Sequence, residues 1–210
     1  MPCKFCEIGA GIHRGEVDRP IVESDHYFAV SSAGGFVPGW TLIFPKEHRF
    51  NMSYDYRNSA FIEFVRKVST IVGKEYGRCV FFEHGATEPG SKTGCGVNHA
   101  HLHVVPFSKS IEALVVENRP NYVWKDTKVS EIEDRLGDAE YLFCSDDFGG
   151  QRRGLSSILK EPESQFFRKV IASAVGLNDW YDYKKFPFEE MSSDTATRLR
   201  TCFSFVDVAT

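Results

Sequence analysis

NHAHLHVVPF, residues 98–107, places His99, His101 and His103 at alternate positions, so three of the chain's seven histidines fall within five residues. In a strand, successive side chains point to opposite faces, so alternate positions share one face. The run alternates His, Ala, His, Leu, His, Val, a strand pattern. At the strand rise, three imidazoles would stand in a row about 6–7 Å apart. Ala100, Leu102 and Val104 would then face a core.

Working outward, the neighbouring segments read as a mixed fold. RPIVES and HYFAVS are expected strands, AGGFVPGW a loop whose Pro38–Gly39 suits a type II turn, and TLIFP a buried strand. Phe61, Phe64, Val65, Val68, Ile71 and Val72 recur at helical spacing and predict a helix over residues 57–75. RCVFFEHG is the next strand, and ATEPGSKTGCG is the loop before the histidines. Beyond Phe107 the composition shifts. IEALVVEN and EYLFCSD read as strands, SEIEDRLG as a short helix, and PESQFFRKVIASAVGL as an amphipathic helix begun by Pro162 and Ser164 and stopped by Gly176. DTATRLRTCFSFV predicts a last helix. No internal repeat or low-complexity run is present.

Composition narrows the function classes. A 210-residue chain with 42% hydrophobic residues and 18 Phe can bury a large core. The net charge is −4 and basic runs are short, which argues against a long nucleic acid as partner but leaves small anionic ligands open. No run of about 18 apolar residues predicts a membrane span, and no signal peptide follows Met1. A cytoplasmic location is the expectation. In that reducing setting, Cys3 and Cys6 suggest a metal or redox role before a disulfide.

The ordered parts are a CxxC opening, a Pro-Gly turn, an apolar strand ending at His48, a glycine loop and the histidine run. Together they resemble the histidine triad (HIT) superfamily, whose signature is His-φ-His-φ-His-φ-φ with φ apolar. Here it reads His99-Ala100-His101-Leu102-His103-Val104-Val105. The resemblance covers residues 1–107, so the expected architecture is α+β. A HIT-like antiparallel sheet of about five strands packs with a long helix (residues 1–107), and a C-terminal α/β extension follows (residues 108–210).

The resemblance also implies roles. Cys3, Cys6, His48 and His99 would hold a structural zinc ion, which usually takes four N or S ligands. His101 would attack the α-phosphorus of a nucleotide and form a nucleotidyl-histidine, since a neutral imidazole of fixed tautomer is a competent nucleophile. His103 selects a branch: transferases and phosphorylases typically carry Gln at that position, whereas hydrolases keep His. The substrate is therefore expected to be a small nucleotide with a P–O–P or P–N bond, such as a dinucleoside polyphosphate or a nucleoside phosphoramidate. The opening and the GCG of the loop resemble the galactose-1-phosphate uridylyltransferase branch, so a nucleotidyltransferase or phosphorylase is the alternative. A nucleotide-binding regulatory module, opposed by the intact triad, is the second alternative.

In the loop, Gly94, Cys95, Gly96 and Asn98 would meet the phosphate, glycines letting backbone N–H groups turn toward it. Ser32 and Glu83 occupy positions where relatives place ribose- or phosphate-binding Asn or Asp, and Trp40 replaces a frequent His. A remodelled nucleoside pocket follows, and base preference does not carry over. His13, His26 and His84 are expected at the surface without a role. Gln165 and Arg168 can share a helix face within reach of a polyphosphate, though a solvated face is the expected outcome. Related small proteins of the family are often dimers, so a homodimer is expected unless the extension covers that surface.

Overall fold

The histidine run ends in a strand at the middle of a sheet, as its alternation requires. The computed structural model describes residues 3–148 and 152–207. Its strands are β1 (Val22–Glu23), β2 (Tyr27–Ser31), β3 (Thr41–Pro45), β4 (Cys79–Gly85), β5 (Leu102–Pro106), β6 (Lys125–Lys128), β7 (Tyr141–Ser145) and β8 (Arg153–Ile158). They form one antiparallel sheet in the order β1-β2-β3-β5-β4-β7-β8-β6. Eight strands replace the expected five because the extension does not make a sheet of its own. β7 pairs with β4, and β8 and β6 continue outward. The polar segment Lys125–Lys128 buries only Thr127, so it carries no apolar alternation to announce a strand.

Six helices flank the sheet: α1 (Lys4–Gly9), α2 (Ser59–Tyr76), α3 (Ile111–Asn118), α4 (Ile132–Leu136), α5 (Phe166–Ala174) and α6 (Glu189–Asp207). Helix α2 begins where the Asn58 side chain accepts the Ala60 N–H, a cap whose loss typically costs about 1 kcal/mol. Helix α3 corrects a strand expectation. The Ser110 hydroxyl caps the Ala113 N–H, and Asp146 accepts the Ile111 N–H at 2.7 Å. Ile111 and Val115 then share one buried stripe, so the β-branched run follows helical spacing. Helices α5 and α6 differ from expectation at their starts. The first waits until Phe166, after Gln165 in the left-handed region at φ 58°, and the second begins before Asp194, at Glu189.

Register decides what each face of the sheet carries. His103 pairs with Leu42 on one side and Phe82 on the other, and Phe82 pairs in turn with Cys144. These side chains share a face. The opposite face carries Ala29, Ile43, Leu102, Val104, Phe81 and Phe143, packed against Phe61, Phe64, Val65 and Val68 of α2 and Leu199 and Phe203 of α6. Burying each such side chain contributes roughly 1.5–3 kcal/mol, so this face anchors the fold.

The histidine face is covered in two separate patches. At one end Ile8 of α1 packs with Phe28, Val30 and Phe44. At the other, α3 and α5 pack on Val80, Phe82, Val105, Leu142 and Cys144. Between the patches lie His101 and His103.

One carboxylate sits inside the α2-side core. Glu83 accepts from the Met52 N–H at 2.6 Å and from the Tyr56 and Tyr141 hydroxyls at 2.7 and 2.8 Å. Burial is the largest influence on this group and raises its pKa from 4.5 to about 7. A carboxyl with a raised folded pKa favours folding when protonated, so its contribution is present below 4.5 and lost as the pH climbs to about 7. Denaturant unfolding of wild type and Glu83→Gln across that window should show wild type losing stability relative to the variant as pH rises. Parallel curves would contradict this assignment.

Candidate functional site

The gap between the two patches is a cavity of 790 Å³ whose wall includes Val30, Ser32, Leu42, Cys95, Asn98, His101 and His103. His101 precedes β5 but keeps its face, with its ring 4.8 Å from that of His103 and stacked on Phe44 at 5.2 Å. Both imidazoles are buried, and burial is the first cause that lowers their pKa values, so both are neutral in the free protein.

A neutral imidazole has one N–H and one lone pair, so its partner on one nitrogen fixes the other. His101 Nδ1 lies 2.9 Å from the His99 carbonyl, which can only accept. Nδ1 therefore carries the proton and Nε2 keeps a free lone pair. His103 is the reverse. The Trp40 indole N–H, which can only donate, points at His103 Nδ1 at 3.0 Å, so the proton sits on Nε2. The two rings thus offer a nucleophilic lone pair and a hydrogen-bond donor side by side.

His99 points away toward the N-terminus. Its Nε2 donates to the Pro45 carbonyl at 2.8 Å, freeing the Nδ1 lone pair toward Cys3 Sγ at 3.3 Å and Cys6 Sγ at 3.7 Å. Burial holds its pKa down at about 4, so that lone pair stays free at neutral pH. His48 Nδ1 lies 3.3 Å from Cys6 Sγ. The donor atoms of Cys3, Cys6, His48 and His99 all fall within 4.8 Å of one another and could hold a metal ion. The S–N edge of a tetrahedral site is about 3.5 Å by ordinary bond lengths, close to these separations. The Nε2 bond to Pro45 is the kind of orienting contact that ligating histidines usually make.

The glycine loop is built from its own contacts. Gly90 N–H donates to the Asn98 side chain at 2.8 Å, closing the loop. Cys95 has φ 57° and Gly96 φ 81°, which turns the backbone sharply beside His101. The Cys95 thiol is engaged rather than free: it donates to the Thr93 carbonyl at 3.3 Å and accepts the Gln165 N–H at 3.0 Å. Of the loop residues expected at the phosphate, Cys95, Gly96 and Asn98 line the cavity. Gly94 stands behind, its carbonyl accepting the Val97 N–H at 2.8 Å.

Three expectations about single residues do not survive the geometry. Glu83, placed at the substrate by resemblance, faces the α2-side core, because the strand alternation puts it opposite His84. His84, expected at the surface, is 4% exposed and lines the cavity. The same alternation could have found it, since it lies two residues beyond Phe82 on the histidine face. Arg168, expected on a solvated helix face, is 3% exposed and also lines the cavity, as does Tyr183. His13 and His26 are exposed, as expected.

No family model matches the chain, and no curated protein matches it. Solved structures do. A hypothetical histidine triad nucleotide-binding protein from Sulfolobus tokodaii is 22% identical, over 51% of this chain and 70% of that one, with a TM-score of 0.40. A HIT family protein from Bacillus anthracis is 22% identical, over 51% of this chain and 74% of that one, with a TM-score of 0.41. A HIT family hydrolase from Clostridium thermocellum is 22% identical, over 51% of this chain and 91% of that one, with a TM-score of 0.37.

The hydrogen-bond network makes a direct spectroscopic prediction. Long-range ¹⁵N–¹H correlation of the imidazoles at neutral pH should find His101 as the Nδ1–H tautomer and His103 as Nε2–H. In Trp40→Phe the His103 ring should lose its preference and the protein should be destabilised by about 1–3 kcal/mol, the cost of an unmet buried acceptor. An unchanged His103 spectrum in that variant would show that Trp40 does not set the tautomer.

Proposed function

We propose that this chain is a histidine triad hydrolase that cleaves a nucleotide at its α-phosphate through a nucleotidyl-histidine intermediate. The observation that carries the reading is the pair of opposed tautomers, a free Nε2 on His101 and an Nε2–H on His103, facing one cavity. A nucleophile and a donor are the two groups that stepwise phosphoryl substitution needs.

In the first half-reaction, His101 Nε2 attacks the α-phosphorus, the N–P bond forms and the bond to the leaving group breaks. The His103 Nε2–H, on a ring that the Trp40 N–H holds neutral, donates a hydrogen bond to the departing atom and stabilises the charge that develops there. In the second half, water attacks phosphorus, the electron pair of the P–N bond returns to His101 Nε2, and the proton from water leaves with the released nucleotide. The backbone turn at Cys95–Gly96 can present N–H groups to the phosphoryl oxygens. Ser32, its carbonyl held by the Ser192 hydroxyl at 2.8 Å, shares the cavity wall with Val30 and Leu42 and would receive the nucleoside.

The metal is proposed to be zinc, which suits two thiolates and two imidazoles. It would tie α1 to the histidine segment. Burial, and then the neighbouring Cys3, raise the Cys6 pKa to about 11, so a cation is what would hold that sulfur as a thiolate. About one zinc ion per purified chain is expected, and Cys3→Ser should lose it together with folding stability. Carefully prepared wild type that contains no metal, together with unchanged stability in Cys3→Ser, would remove the site.

The covalent step has its own test. His101→Asn should abolish turnover while nucleotide binding stays nearly intact, because what is lost is bond formation. Wild type quenched during turnover should carry a nucleotidyl mass adduct that His101→Asn lacks. His103→Leu, which removes the donor, should slow turnover about 10- to 100-fold for leaving groups that gather charge on one oxygen, and less for p-nitrophenolate, which spreads it over its ring. An active His101→Asn would end the reading, and transfer to phosphate or a sugar phosphate in preference to water would favour the transferase alternative.

A further inference from the structure

Two buried polar groups in the cavity wall take no part in the cycle above. The first is Arg168, on the first turn of α5. Its Nε donates to the Tyr181 carbonyl at 2.7 Å and a terminal nitrogen to the Gly34 carbonyl, yet it makes no ion pair among the described residues. Asp182, the carboxylate that influences it electrostatically, is engaged with the Gln165 side chain and the Lys184 N–H. The guanidinium lies over Trp40 at 4.8 Å, Phe36 at 5.3 Å and Tyr183 at 5.7 Å. Aromatic faces offset part of the loss of hydration, but a buried cation without an anion remains an expensive arrangement.

The second is His84. Its Nε2 accepts the Phe167 N–H at 3.3 Å, which puts the proton on Nδ1, and that buried Nδ1 has no partner among the described residues. Buried donors are nearly always met, so an orphan at a cavity wall points to something that enters the cavity. The ring stands 5.8 Å from that of His103, and Arg168 acts electrostatically on both rings. Both groups therefore cluster around the histidine that serves the leaving group. A second cation is close by: a Cβ on Gly96 would come within 3.0 Å of Lys184 Nζ. Among the residues of the wall the carboxylate is Asp18, and it is paired with Lys4 at 2.7 Å.

We propose that Arg168, the His84 Nδ1–H and Lys184 form a subsite for a second anionic group, so that the leaving group of the substrate is itself phosphorylated. The subsite's place in the reaction rests on the hydrolase reading; its anion chemistry does not. A neutral amine, the leaving group of a phosphoramidate, would leave the Arg168 charge buried and uncompensated. A polyphosphate-bridged nucleotide supplies what these residues lack. The extension thereby sets substrate class, by carrying a cavity charge that, unlike Lys4 in the first half of the chain, is not paired with a carboxylate.

The test compares two substrates that share a nucleoside and an α-phosphate: a dinucleoside triphosphate and the p-nitrophenyl ester. Arg168→Gln should lower kcat/KM for the triphosphate about 10- to 100-fold, the weight of one charge-assisted hydrogen bond, and that for the ester by less than about threefold. Arg168→Lys should recover part of the loss. Equal losses on both substrates, or no loss on either, would overturn the proposal. Calorimetric titration of the full chain with inorganic pyrophosphate separates the subsite from the hydrolase reading. If wild type hydrolyses neither substrate, that reading fails, and the subsite still stands if wild type binds pyrophosphate and Arg168→Gln does not. Wild type that binds no pyrophosphate overturns it. Should Arg168→Gln misfold, His84→Phe keeps a ring in place without the Nδ1–H and must weaken pyrophosphate binding; undiminished binding there counts against the subsite.

Discussion

A neutral imidazole buried in a fold must give its N–H to an acceptor and its lone pair to a donor, and water is not there to supply either. Four histidines of this chain lie under that constraint. The Pro45 carbonyl takes the His99 proton and leaves Nδ1 for the cysteines. The His99 carbonyl takes the His101 proton and frees Nε2. The Trp40 indole fills His103 Nδ1 and leaves Nε2–H facing the cavity. The Phe167 amide fills His84 Nε2 and leaves a donor with nothing to meet it. Each outward-facing chemistry is thus set by an inward-facing partner, and three of those partners are main-chain groups that substitution cannot remove. Trp40 is the exception, which makes it the point where the site can be retuned by a single change.

The same constraint explains why the second half of the chain cannot be separated from the first. Strand β7 extends the sheet from β4, so helix α5 is carried over the histidine face rather than away from it. There the Phe167 amide meets His84, the Gln165 amide meets the Cys95 thiol at 3.0 Å, and the Tyr183 hydroxyl donates to the Cys95 carbonyl at 2.8 Å. The glycine loop is therefore braced from outside by the extension. Cys95, whose pKa burial raises, acts as a buried hydrogen-bonding link and not as a reactive thiol.

How much of this was legible in the sequence depended on whether the signal was local. The histidine alternation, the helix of Phe61 to Val72 and the metal-ligand set each lie in a periodic run or a recognisable order of parts, and the fold places Cys3, Cys6, His48 and His99 together. The α3 segment misled because Val115 and Val116 favour strands by themselves, while the decision was made by Ser110 and by Asp146 from a distant turn. Glu83 and His84 exchanged expected places because resemblance assigned a role to Glu83 without asking which face the strand presents. Arg168 was visible only as a polar residue on an amphipathic helix. That it turns inward is a tertiary fact, fixed by the carbonyls of Gly34 and Tyr181, which no spacing within the helix reveals.

Those inward-turned groups carry a consequence for stability. A guanidinium without a counter-ion and an imidazole N–H without an acceptor both destabilise the free protein relative to a chain with apolar residues there. The α2-side core, packed from Phe, Ile, Val and Leu around Glu83, supplies the stability that offsets them. Binding of an anion would relieve both at once, so ligand and folded state should strengthen each other by mass action. The cost is confined to the gap between the two covering patches. A second helix laid across that gap would meet the unmatched donors, but it would also close the cavity into which His101 and His103 face. Openness at that one place on the sheet and tension in its polar groups are therefore two sides of the same arrangement.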